Sequence, residues 1–383
     1  MRNAELVSRE ASRSEAERVN QGPRSSPTRS ASRLTIPLPP SPFRPAFTLI
    51  ELLVAISIIA TLSAMFLGAS RAAMEHSRAA RTRTTIDKLN TLLMERWADY
   101  ETRRVDLAFV PPTAEATADY RLLALRELMK FEMPDRWSDI DLDASVNPIG
   151  KTASRDQATV FLKNVPPLAR IYYRRFQEAQ SKANANGKPD SLTQYEGPEC
   201  LYMTIMYACG DGESRSMFST QDIGDVDGDG APEFLDGWGN PIDFVRWPAG
   251  FAARSSLMSW NDEQNIPDAD NDHDPFDPFR RDLMLSTQDY TESNPNLARY
   301  IARLRDDSSA FRLVPLIYSA GPDGEYEIDV KAPTPTSDSN GVALDPYFIE
   351  SDESYVFGTP QDFNGDGSDN SLDNIHNHQD TTR

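Results

Sequence analysis

The sequence is poor in the residues that most often carry chemistry. Its 383 residues include two Cys and four His. Two Cys exclude a disulfide-rich scaffold and a CxxC zinc module. The His residues (His76, His273, His376, His378) are scattered, the last two in a polar C-terminal tail for which disorder is expected. There is no GxSxG, HExxH or P-loop, and no GxGxxG opening a helix. The Asp clusters are the remaining route to catalytic metals, but no nucleophile or base accompanies them, so no enzyme is expected. Apolar residues make up 39% and the mean hydropathy is −0.54, which excludes a polytopic membrane protein. Basic residues are outnumbered, 39 Lys+Arg against 59 Asp+Glu, for a net charge of −20. That balance argues against nucleic acid as a partner and favours solubility and cation binding.

The charge is unevenly placed. Residues 1–46 hold eight Arg against four Glu, a net +4, so the remainder carries −24. This segment is rich in Ser, Arg and Pro, and disorder is expected. The prolines of Pro37–Pro45 forbid a helix. Then comes the longest apolar run, Phe47–Leu67 (FTLIELLVAISIIATLSAMFL), 21 residues with a single charge at Glu51. As a helix it spans roughly 30 Å, enough to cross a bilayer. A core helix would show a polar face, which this run lacks. A signal peptide would have a shorter run followed by a small-residue cleavage site. The Arg-rich flank places the N-terminus in the cytoplasm and the acidic bulk outside.

An ionised carboxylate inside a membrane costs on the order of 3 kcal/mol, so Glu51 needs a partner. A cut between Ala46 and Phe47 would supply one, a new α-amino group one helical turn away. The stretch Pro45-Ala46-Phe47-Thr48-Leu49-Ile50-Glu51-Leu52-Leu53-Val54 resembles the class III signal of type IV prepilins and type II secretion pseudopilins. The resemblance implies that a prepilin peptidase/N-methyltransferase cuts at Ala46/Phe47 and methylates Phe47. It also implies that Glu51, fifth in the mature chain, guides subunit addition. Ala46 stands where the family usually has Gly, and the leader is long for the family.

The helix is expected to continue, because Ser70–Arg104 has no Pro or Gly. Ile86, Leu89, Leu93, Trp97 and Tyr100 recur at spacings of 3 and 4. Arg71, Arg78, Arg81 and Arg83 suit a solvated face near lipid headgroups. Further helices are expected over about Ala114–Phe131, Leu168–Ala185 and Glu199–Cys209. On the last of these, Cys200 and Cys209 would lie about 13 Å apart, too far for a disulfide, so two buried thiols are expected. Strands are expected at Ile242–Trp247 and Phe311–Ser319. The second forms a hairpin with Glu325–Val330 across the Gly321-Pro322-Asp323-Gly324 turn. Asp262–Asp277 reads as an exposed acidic loop.

Asp225, Asp227 and Asp229, followed by Gly230, Glu233 and Asp236, occupy positions 1, 3, 5, 6, 9 and 12 of a 12-residue Ca²⁺ loop. Hard cations want six to eight oxygens, and alternate residues of a tight turn aim theirs inward. Pro232 at position 8, Asp rather than Glu at position 12, and the absence of obvious flanking helices depart from an EF-hand. A Gly/Asp turn ordered by its own Asx hydrogen bonds remains an equal alternative. Asp362-Asn364-Asp366-Gly367, with Asn370 and Asp373, repeats the register, and Asp268, Asp270, Asp272 and Asp274 alternate without the Gly. The segment Asp236-Gly237-Trp238-Gly239-Asn240-Pro241 resembles the D-x-WG-N-P stretch of major pseudopilins. Ser319-Ala320-Gly321-Pro322-Asp323-Gly324 resembles their Ser-x-Gly-x-Asp-Gly turn. In that family C-terminal loops hold a structural Ca²⁺, which implies Asp323 as a ligand.

The expected fold is α+β: a long N-terminal transmembrane, pilin-like helix followed by a globular head with helices and a small antiparallel sheet. The expected division is a cytoplasmic leader (1–46), a membrane helix (47–67), its extracytoplasmic continuation (68–105) and the acidic head (106–383). Partners implied by the resemblance are the peptidase and other pilin-like subunits, in the inner membrane and then in a type II secretion or type IV pilus-like filament. The alternative is an anchored Ca²⁺-binding surface or adhesion protein that does not polymerise.

Overall fold

One helix, α1, runs unbroken from Leu49 to Thr102 in the computed structural model. The described residues are 47–140, 146–147, 151–152, 161–209, 214–261, 266–280, 310–330, 346–347, 357–361 and 370–379. The leader with Ala46, and Asp362, Asn364 and Asp366 of the second acidic register, lie outside them. The chain divides into two units, residues 1–62 and 63–383. In the first, every described residue is exposed, including Leu49 at 81% and Ile59 at 63%. α1 is the one helix among the described residues long and apolar enough to cross a membrane.

The second unit is a globular region of helices and small antiparallel sheets. The far half of α1 buries Ile86, Leu89, Leu93, Trp97 and Tyr100, the stripe its spacing implies. α2 (Ala114–Glu132) begins at Thr113, whose side chain accepts the Ala116 N–H. Glu132 at its end joins it to α1: Tyr100 Oη donates at 2.9 Å, Arg103 lies at 3.2 Å, and Arg96 forms a further ion pair. α3 (Pro167–Ala185) buries Ala169, Tyr172, Tyr173, Phe176, Ala179 and Ala183, again at spacings near a helical turn. α4 (Glu196–Met203) runs into a π-helical turn at Thr204–Ala208, and α5 is a single turn at Ser214–Met217. Both Cys200 and Cys209 are buried free thiols.

The strands are short. β1 (Val146–Asn147) pairs with β2 (Lys151–Thr152), and β3 (Ile223–Gly224) with β4 (Glu233–Phe234). The central sheet has three antiparallel strands: β5 (Ile242–Val245), β8 (Leu316–Ser319) in the middle, and β9 (Ile375–His376). A small hairpin joins β6 (Trp260–Asn261) and β7 (Ile266–Pro267). All residues of β5 and β8 are buried, so the sheet is covered on both faces. Asp243 of β5 sits opposite Tyr318 of β8, whose Oη donates to it at 2.8 Å. Burial pushes the Asp243 carboxyl up to about 7.

Three local expectations end differently. The Gly321–Gly324 turn forms, but β8 pairs with β5 and β9, and Ile328 bridges Pro360 instead. Both ladders of β8 are occupied, which leaves no edge for Glu325–Val330. The described part of Asp262–Asp277 is held by ion pairs, Asp272 to Arg312 at 2.7 Å and Asp274 to Arg126 at 3.3 Å, and Asp274 and Asp277 are buried. His376 and His378 belong to the head: His378 is 1% exposed, and its Nε2–H donates to Pro315 O at 3.0 Å.

Candidate functional site

The start of α1 is built from two residues of the apolar run. Thr48 Oγ1 accepts the Glu51 N–H at 3.2 Å, and Glu51 Oε2 accepts the Thr48 N–H at 2.8 Å and the Thr48 hydroxyl at 2.9 Å. This is a reciprocal capping box, in which a Thr and a Glu three residues on satisfy helix-start donors that have no intrahelical partner. Glu51 stands in the first turn, where a negative charge also meets the positive end of the helix dipole. Phe47 directly precedes the cap and is 81% exposed.

A second concentration of charge lies in the head. The β3–β4 hairpin closes over residues 225–232, with Gly228 and Gly230 both at positive φ (80° and 92°). Those two turns bring Asp225, Asp227 and Asp229 together, with carboxylate oxygens within 4.8 Å of one another. Glu233 follows at the base of β4, and its Oε2 accepts the Val226 N–H at 3.2 Å. α4 supplies Glu199, whose carboxylate lies within 4.8 Å of those of Asp227 and Glu233. Glu199 is 1% exposed and Glu233 is fully buried. Burial and the neighbouring carboxylates push the Glu199 carboxyl up to about 11 and the Glu233 carboxyl up to about 8. The same causes raise Asp227 and Asp229.

Asp236 is engaged elsewhere. Its Oδ1 accepts the N–H groups of Trp238, Gly239 and Asn240 at 2.8–2.9 Å, and its Oδ2 accepts the Ser319 hydroxyl at 2.7 Å. The turn it organises sits on α1: the Trp238 Nε1–H donates to Glu75 at 2.7 Å. Asp323 groups with Glu327 and Asp373, within 4.8 Å, at a more exposed place. Arg81 reaches into the head, pairing with Asp222 at 2.8 Å, rather than facing solvent as its spacing suggests.

Residues 44–67 match the family model of the prokaryotic N-terminal methylation motif. No curated protein and no solved structure shows significant similarity to the chain. The matched residues hold the capping box, Phe47 and Glu51, and end with the apolar run at Leu67. A methylation motif on a long apolar helix that leads into a globular head is consistent with a pilin- or pseudopilin-like subunit.

Of the carboxylates singled out by spacing, Asp225, Asp227, Asp229 and Glu233 converge, whereas Asp236 and Asp323 lie in other contacts. Glu199 has no register relation to the loop, and its one sequence signal is a charge among apolar neighbours, Pro198, Cys200 and Leu201.

Proposed function

We propose that this chain is a pilin-like subunit that assembles through its N-terminal helix. A prepilin peptidase removes residues 1–46 at the Ala46/Phe47 bond and methylates the Phe47 amine. The helix stays in the inner membrane, with the head on the extracytoplasmic side, until Glu51 meets the Phe47 amine of a neighbouring subunit. That pairing offsets the cost of a carboxylate in lipid, about 3 kcal/mol, and draws subunits into a filament of a type II secretion or type IV pilus-like system. Before assembly the Thr48 hydroxyl and N–H partly satisfy the same carboxylate, so Glu51 is held at the helix start.

The observation that carries this reading is the methylation motif at residues 44–67, placed on an exposed apolar stretch that begins an unbroken helix. Mass spectrometry of protein from native membranes tests it. A chain beginning at N-methylated Phe47 is the expected result, and a chain beginning near Met1 or cut after Leu67 overturns it. Glu51→Val is expected to insert normally and fail to assemble. Crosslinking through Ile56–Leu67 is expected to give ladders, and monomers alone would favour an anchored surface protein.

A further inference from the structure

Four carboxylates of the acidic cluster, Glu199, Asp227, Asp229 and Glu233, share one pattern. Each gives one oxygen to a protein donor and keeps the other. Trp137 Nε1–H donates to Glu199 Oε2, and Val226 N–H to Glu233 Oε2. Asp229 N–H donates to Asp227 Oδ1 at 3.2 Å, and Ala231 N–H to Asp229 Oδ1 at 2.7 Å. The remaining oxygens, Glu199 Oε1, Asp227 Oδ2, Asp229 Oδ2 and Glu233 Oε1, are buried and accept no hydrogen bond among the described residues. Glu199, Asp229 and Glu233 are at most 1% exposed. Buried acceptors of this strength are normally satisfied, and buried charges are normally paired or bound to a metal.

The basic groups nearby meet this need only in part: Lys188 and Lys182 favour the charged forms of Asp227 and Asp229 but donate to none of the four free oxygens. Lys188 Nζ donates to the Asp227 carbonyl rather than its carboxylate, at 3.4 Å, and Lys182 lies against Gly230. Both lysines are exposed. The donor set is all oxygen, with no His or Cys in either group, which suits a hard cation and not zinc or copper. Asp227 belongs both to the group with Glu199 and Glu233 and to the group with Asp225 and Asp229.

We propose that Glu199, Asp227, Asp229 and Glu233, with Asp225 at the exposed rim, bind a hard divalent cation of the calcium class. The site is a loop fastened to a helix. Asp225, Asp227 and Asp229 come from one hairpin turn and Glu199 from α4, so the cation ties the turn to the helical layer. Glu199 replaces Asp236, the residue that a 12-residue loop register would use. The ion's neighbourhood extends to Trp137 through the indole N–H on Glu199, which provides an optical reporter.

The test uses the full-length chain in detergent, stripped with EDTA and titrated with Ca²⁺ alone. Ca²⁺ is expected to raise the melting temperature and to change Trp emission. Glu199→Gln keeps the shape and the indole partner, and is expected to weaken Ca²⁺ at least about tenfold. Asp227→Asn is expected to do the same. Glu178→Gln, an exposed residue outside every carboxylate group, is expected to keep the native Ca²⁺ response. No response to millimolar Ca²⁺ in the native chain overturns the site, as does a native Kd in a folded Glu199→Gln chain. Should Glu199→Gln fail to fold, an unchanged Kd in Asp227→Asn overturns it instead.

Discussion

Gly237 lies directly on Thr82 of α1: its N–H donates to Thr82 Oγ1 at 2.9 Å, and a Cβ built on it would stand 2.4 Å from Arg78 O. The contact fastens the Asp236-to-Asn240 turn to the helix by backbone, so no side chain can be added there without moving one or the other. Gly237→Ala is expected to lower stability by about 2 kcal/mol, the range for overpacking a close contact. Urea unfolding of the variant against the native chain measures it, and an unchanged midpoint would show that the turn is free to shift.

Glu132 is expected to be among the most sensitive charged positions. Its side chain is 4% exposed and holds Arg96, Arg103 and the Tyr100 hydroxyl. Removing one partner of a buried ion pair leaves the other uncompensated, so Glu132→Ala should cost about 3 kcal/mol or more. Thermal melting checks it, with the exposed pair Arg175–Glu178 as the control expected to matter little.

His378 gives the head an acid-side sensitivity. Its ring is buried edge-on to Phe251, with His376 beside it, and burial holds it down to about 4. A base with a depressed folded value binds fewer protons when folded. Its contribution is complete above about pH 6.5 and is lost as pH falls toward 4. The loss approaches about 3 kcal/mol. Denaturant midpoints across that window should fall in the native chain and fall less in His378→Gln.

The two thiols should be silent in the native state. Cys200 and Cys209 are both buried, and burial pushes the Cys209 thiol up to about 12. A thiol-reactive dye is expected to label neither until the chain is unfolded. Rapid labelling of the folded chain would place Cys209 at an opening face.

Much of the local structure follows from spacing alone. Ile86, Leu89, Leu93, Trp97 and Tyr100 are buried as their period requires, and α1 is unbroken because no proline interrupts it. The reciprocal cap of Thr48 and Glu51 is not anticipated from the residues, although their separation of three permits it. Asp225, Asp227 and Asp229 meet because two glycines fold one short turn.

The helix with its apolar stretch, the methylation motif and the turns are therefore legible in the residues alone. Each rests on interactions between residues a few positions apart, where backbone geometry dictates who meets. Tertiary structure alone decided that β8 takes β9 as a partner, that His378 is buried under Pro315, that Asp236 ties its turn to Ser319, and that Glu199 joins the acidic hairpin. These contacts join residues far apart in the chain. They are set by which faces pack together, and no local period encodes that.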